Sequence, residues 1–251
     1  MRWIADRIQE ELETAESSYG ISQSQARAIL LAPVALSLFY LLSFLLPATR
    51  DMAAWMQEEN RPIELLTFVF MLAGGVLGSF LAWRAKVGGE KFLVYGFYSV
   101  FSIGLLFTAM EEVAWGQWFF GFDTPSAIER INVQGEFTLH NIQGLHGKTE
   151  FARVAFGLGG LFGVWLSYKD QFRKIAAPFV LTTWFLIISV HAIPDLYVEI
   201  FSVEGRFDLL VSRLAEFIEM LIGTSGFLYV WLNSRMLASE RNVRRLPKRG
   251  D

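Results

Sequence analysis

Of 251 residues, 53% are hydrophobic and 19% charged, with 23 Phe, 8 Trp and a formal net charge of -3. So low a charge fraction, with the apolar residues gathered in long runs, excludes an ordinary soluble domain and indicates an all-α polytopic membrane protein. The absence of cysteine excludes disulfides and thiolate ligands, and the slightly acidic balance argues against nucleic-acid binding.

Residues 1–17 put Trp3, Ile4, Ile8 and Leu12 on one helical face, opposite Glu10, Glu13 and Glu16. This predicts a short interfacial helix whose acidic side favours packing on the protein over strong lipid attraction. Ser22 or Ser24 is placed to cap the next helix. Six spans are expected at about 28–46, 65–83, 92–112, 151–168, 175–193 and 208–231, each near the roughly 20 residues that a bilayer core requires. The first lacks a small-residue cleavage pattern and reads as a retained helix. The third has the composition to continue as a helix through Trp115 and Phe120. The chain thus divides into an amphipathic segment (1–27), a six-helix domain with a polar loop at 113–150 (28–234), and a basic tail (235–251).

Charge assigns the loops to sides. Arg2, Arg7, Arg27, Arg84, Lys86, Lys91, Lys169, Arg173, Lys174 and the six Lys and Arg from Arg235 onward fall on one side. The other side holds only Arg50, Arg61, Arg130, Lys148, Arg153 and Arg206, with Arg213 inside the sixth span. The positive-inside rule puts both termini in the cytoplasm and loop 113–150 outside, as in a bacterial inner membrane. Glycines at 74, 75 and 78 in the second span, and at 157, 159, 160 and 163 in the fourth, suit close helix contact, including a Gly-x-x-x-Gly step from 159 to 163. No internal repeat supports an inverted-repeat transporter.

The polar residues converge on the outer side. Glu111 and Glu112 end the third span, and loop 113–150 carries Asn132, Gln134, Glu136, His140, Asn141 and His146. His191 and Asp195, one turn apart, reach the same level on the fifth span if its helix survives Pro194. Asp208, Ser212, Glu216 and Glu219 form a stripe along the sixth, beside Arg213. Charges in lipid are costly, so the stripe is expected to face the bundle interior or a wet cavity.

Imidazoles with carboxylates make a divalent metal site, possible for zinc, and an extra carboxylate serves as base toward metal-bound water. The first reading is therefore a metal-dependent hydrolase or transferase acting on a lipid or lipid-linked substrate at the outer face. Its expected metal ligands are His140, His191, Asp195, His146 and Glu136; Glu112, Glu111, Arg213 and Glu216 are its catalytic candidates. The Glu-x-x-His spacing of bundle di-iron sites is missing. The alternatives are a non-enzymatic protein that binds or transports an ion, a proton or a lipid headgroup, and a membrane-complex subunit that binds a partner through loop 113–150; a homo-oligomer is a further possibility. Each residue also has a plainer role: boundary carboxylates in water, loop amides closing the loop by hydrogen bonds, and a tryptophan belt at the headgroups.

Overall fold

The computed structural model describes residues 2–58, 60–139, 141–144, 149–203, 205 and 213–245. Its elements are α1 (Arg2–Tyr19), α2 (Gln23–Leu45), α3 (Pro47–Trp55), α4 (Pro62–Val87), α5 (Phe92–Glu112), α6 (Gln117–Phe120), α7 (Ser126–Glu129), α8 (Thr149–Leu166), α9 (Thr182–Phe201) and α10 (Ala215–Arg245). Five stretches among the described residues are long and apolar enough to cross a membrane: α2, α4, α5, α9 with the turn before it, and α10. The expected fourth span forms the 18-residue α8; Glu150 and Arg153 in its first turns dilute its apolar character, and it is not among these five.

Local chemistry sets the helix ends. Ser22 accepts from the Gln25 amide while the Gln25 side chain accepts from the Ser22 amide, a capping box that starts α2. Pro47 and Pro62 open α3 and α4, where a missing N–H costs nothing. Pro194 is accommodated within α9, so His191 and Asp195 do share one helix. At its full 31 residues α10 is about 46 Å long at 1.5 Å per residue, more than a hydrocarbon core needs.

The closest helix pairings are α4 with α5, α4 with α10, and α8 with α9; α10 also touches α1, α8 and α9. Glycine makes these approaches possible. A Cβ on Gly75 would lie 2.5 Å from the Leu106 side chain, and one on Gly74 would lie 3.1 Å from the Phe227 backbone. On α8 the contact face is Gly157, Gly160 and Gly163, against Ser189 and Phe185 of α9 and Ala177 of the connection before it. The Gly159–Gly163 step anticipated from sequence is not the seam, because Gly159 faces open space. Gly157→Val would drive a branched side chain into the Ser189 backbone, 3.1 Å from the Cβ position. It is expected to cost about 1–3 kcal/mol by overpacking, read as a lowered melting temperature in detergent.

The other faces remain apolar and exposed, as with Phe39, Leu45, Val100 and Ile103, which is what lipid as the surrounding solvent requires. In α1, Leu12 and Ala15 are buried while Trp3 and Ile8 point outward. The packing face is thus narrower than the one drawn from sequence.

Two polar ends emerge. At the basic end, Tyr98, Tyr229 and Asn233 reach from α5 and α10 to the carbonyls of Lys174, Ile175 and Ala176 at 2.6, 2.7 and 3.1 Å. Lys174 pairs with Glu90 at 2.5 Å, and Arg235 donates to the Tyr19 and Gly20 carbonyls at 2.7 and 2.6 Å. Segments allotted to one side by charge therefore touch one another. At the opposite end α5 does not continue beyond Glu112. Ala114, Trp115 and Gly116 take φ of 45°, 53° and 92°, a left-handed run that turns the chain out of the helix.

Candidate functional site

The carboxylates of the acidic end come from three helices. Glu64 lies in the first turn of α4, Glu112 is the last residue of α5, and Glu216 and Glu219 occupy one face of the first turns of α10. Glu112, Glu216 and Glu219 each offer a carboxylate oxygen within 4.8 Å of the other two, and all three are half-buried. Glu64 joins Glu112, Asn60 and Trp118 around a small crevice beside them, and its carboxylate accepts from the Asn60 amide. Three carboxylates so close repel one another strongly in a partly desolvated place, so the arrangement calls for positive charge.

Part of that charge comes from Arg153, in the second turn of α8. Its Nη1 donates to Asp195 Oδ2 of α9 at 2.5 Å and its Nε to Glu219 Oε1 of α10 at 3.0 Å. Its Nη2 donates to Thr149 at 3.3 Å and lies 3.8 Å from Glu150. Only 11% of the Arg153 side chain is exposed. The guanidinium fork thus ties three helices together, as a lysine's single point charge cannot. The charge count places Arg153 among the outer-side charges; in the structure its side chain is largely enclosed between helices. The signal for it was an arginine three residues after Glu150 at the mouth of an apolar helix. Glu64, two residues after Pro62, is likewise absent from the residues expected at the site.

The loop after α5 is organised by its amides and by Glu111. Glu111 is buried; it accepts from the Leu139 amide at 2.7 Å and from the Trp115 indole. Gln117 accepts from the Phe137 amide at 2.9 Å and donates to Thr124 at 2.8 Å. Asn132 accepts from the amides of Gln134 and Glu136 at 2.9 and 3.3 Å and donates to the Thr138 carbonyl at 2.8 Å. An isolated antiparallel bridge pairs Asn132 with Ile142, and the Asn141 side chain donates to Gln134. These contacts close the loop onto the end of α5, the plain role open to them from sequence.

Of the expected catalytic residues, Glu112 and Glu216 meet in the carboxylate cluster, Glu111 anchors the loop, and Arg213 is exposed ahead of α10, its carbonyl accepting from Gln57. Of the expected metal ligands, Asp195 is engaged by Arg153, and His191 is half-buried one turn before it. Glu136 is half-buried in the loop. His140 and His146 lie outside the described residues, as do Arg206, Asp208 and Ser212. Among the described residues, Glu112, Glu216 and Glu219 form the group able to hold a metal ion, and His191, Asp195 and Glu136 are not part of it. No protein-family model, curated protein or solved structure matches this chain.

Proposed function

We propose that the protein is a multi-pass membrane protein that binds a cation, without turning over a substrate, at Glu112, Glu216 and Glu219. The observation that carries this reading is the approach of those three carboxylates within 4.8 Å, from helices about 100 residues apart in sequence. Six spans with both termini in the cytoplasm would put the site at the outer face of an inner membrane, in keeping with the charge bias. A donor set of carboxylate oxygens suits a hard divalent ion such as manganese, magnesium or calcium better than zinc. The hydrolase or transferase reading, with a lipid substrate, ranks below it because that chemistry rests on imidazole ligands and, among the described residues, the cluster contains none.

Manganese binding to the detergent-purified protein, followed by electron paramagnetic resonance, tests the proposal. Glu112→Gln and Glu216→Gln are each expected to weaken binding by about tenfold or more, since oxygen-ligand sites are tuned by ligand charge count. Glu13→Gln, at an exposed position of α1 at the other end, leaves it unchanged. A folded wild-type protein that takes up no manganese, magnesium or calcium overturns the reading. Stoichiometric zinc lost on His191→Ala would overturn it too, and restore the hydrolase.

A further inference from the structure

A second feature lies in the apolar part of the bundle, away from the carboxylates. A cavity of about 250 Å³ opens between α5 and α8, walled by Phe97 and Phe101 of α5, Phe156 and Gly159 of α8, Phe185 of α9 and Tyr229 of α10. Phe97 is 38% exposed and Gly159 is exposed as well, so the cavity reaches the lipid-facing surface. The Tyr229 hydroxyl, its only side-chain polar group, is engaged by the Ile175 carbonyl at 2.7 Å. Water filling such a space would lack the two to four polar partners it needs, and an empty space forfeits dispersion contacts along its whole lining. A transmembrane helix, 10–12 Å across with its side chains, is too wide to enter it. A linear hydrocarbon chain is not.

Two lysines at the same end of α5 and α8 bear on the rest of the ligand. Phe97 lies six residues, or about 9 Å, along α5 from Lys91, and Lys169 stands three residues beyond the end of α8. Both lysines are exposed. Lys169 also sits over the Trp165 ring, 5.4 Å from its centroid, an arrangement typical of a headgroup boundary. We propose that this crevice holds one acyl chain of an anionic phospholipid, whose headgroup rests between Lys91 and Lys169 in the leaflet at the basic end.

The test uses the full-length protein in phosphatidylcholine nanodiscs doped with phosphatidylglycerol or phosphatidylcholine that carries a photoreactive diazirine in one chain, with the cross-linked peptides mapped by mass spectrometry. Labelling is expected to concentrate on residues 97–101 and 155–163, with phosphatidylglycerol favoured by about fivefold for each lysine engaged. Gly159→Phe, or the smaller Gly159→Leu, fills the mouth and abolishes the labelling. Gly104→Phe, whose added side chain also meets open space, does not. Replacing Lys91 and Lys169 by Gln removes the headgroup preference and leaves chain insertion intact. Labelling spread evenly over other lipid-facing positions such as Val76 and Ile103, indifference to both Gly159 variants, or a second polypeptide cross-linked at the crevice each overturns the proposal.

Discussion

Arg153→Ala is expected to destabilise the protein by about 3–5 kcal/mol, because it leaves the Asp195 and Glu219 carboxylates partly buried with their shared cation gone. Three helices lose a common tie in one substitution. The measurement is reversible unfolding in mixed micelles or bicelles, where the variant should melt well below wild type. The loss is one of uncompensated charge, not of bonding as such. The combined variant Arg153→Met, Asp195→Leu, Glu219→Leu should therefore be more stable than Arg153→Ala alone, since apolar groups of similar volume replace a buried ion pair at little cost. If Arg153→Ala melts like wild type, or the triple variant is the worse of the two, the guanidinium does not hold the bundle together in the way its contacts indicate.

The helical plan was legible because lipid imposes a simple rule: every backbone polar group is satisfied within its own helix, so spans read directly from apolar run length. Phe92–Glu112 falls at the expected limits. Segments that the charge bias puts together do meet, Arg235 with Tyr19 and Lys174 with Glu90. What run length cannot show is which residues of an apolar helix face another helix. Gly157 and Gly160 turn toward α9 and Gly163 toward Ala177 in the connection before it, while Gly159, at the familiar spacing of four from Gly163, faces open space. The end of α5 was equally hidden: Ala114 and Trp115 have no intrinsic preference for positive φ. Side-chain contacts accompany this turn, among them the Glu111 carboxylate accepting from the Trp115 indole one turn on.

The gathering of Glu112 with Glu216 was legible from topology, since both fall at one end of their helices. Their neighbours were not. A charge near the end of an apolar run is by default at the boundary in water, and nothing in the residues around Glu64 or Arg153 marks them as inward-facing; helix rotation decides that, and rotation is set by packing. Glu111 and Glu112 show the same limit in miniature. Adjacent residues on a helix point about 100° apart, so one carboxylate holds the loop backbone while the other joins the cluster.

Glu219 belongs to both charge systems, and this couples cation binding to the tie between helices. One of its carboxylate oxygens lies within 4.8 Å of the Glu112 and Glu216 oxygens, and its Oε1 accepts from Arg153 at 3.0 Å. An ion at the cluster and the guanidinium draw on the same negative charge and repel each other. Arg153→Gln is accordingly expected to tighten manganese binding by about five- to fiftyfold, within the usual range of coupling free energies. Linkage makes the effect reciprocal: saturating manganese should weaken the Arg153–Glu219 coupling measured by a double-mutant cycle. It should also raise the melting temperature of Arg153→Gln more than that of wild type, because the ion then supplies the charge that the variant lacks. The opposite sign, with manganese bound more weakly by Arg153→Gln, would make Arg153 the group that orders Glu219 for the ion. Competition predicts that the ion and the α8–α10 tie each weaken the other by the same factor.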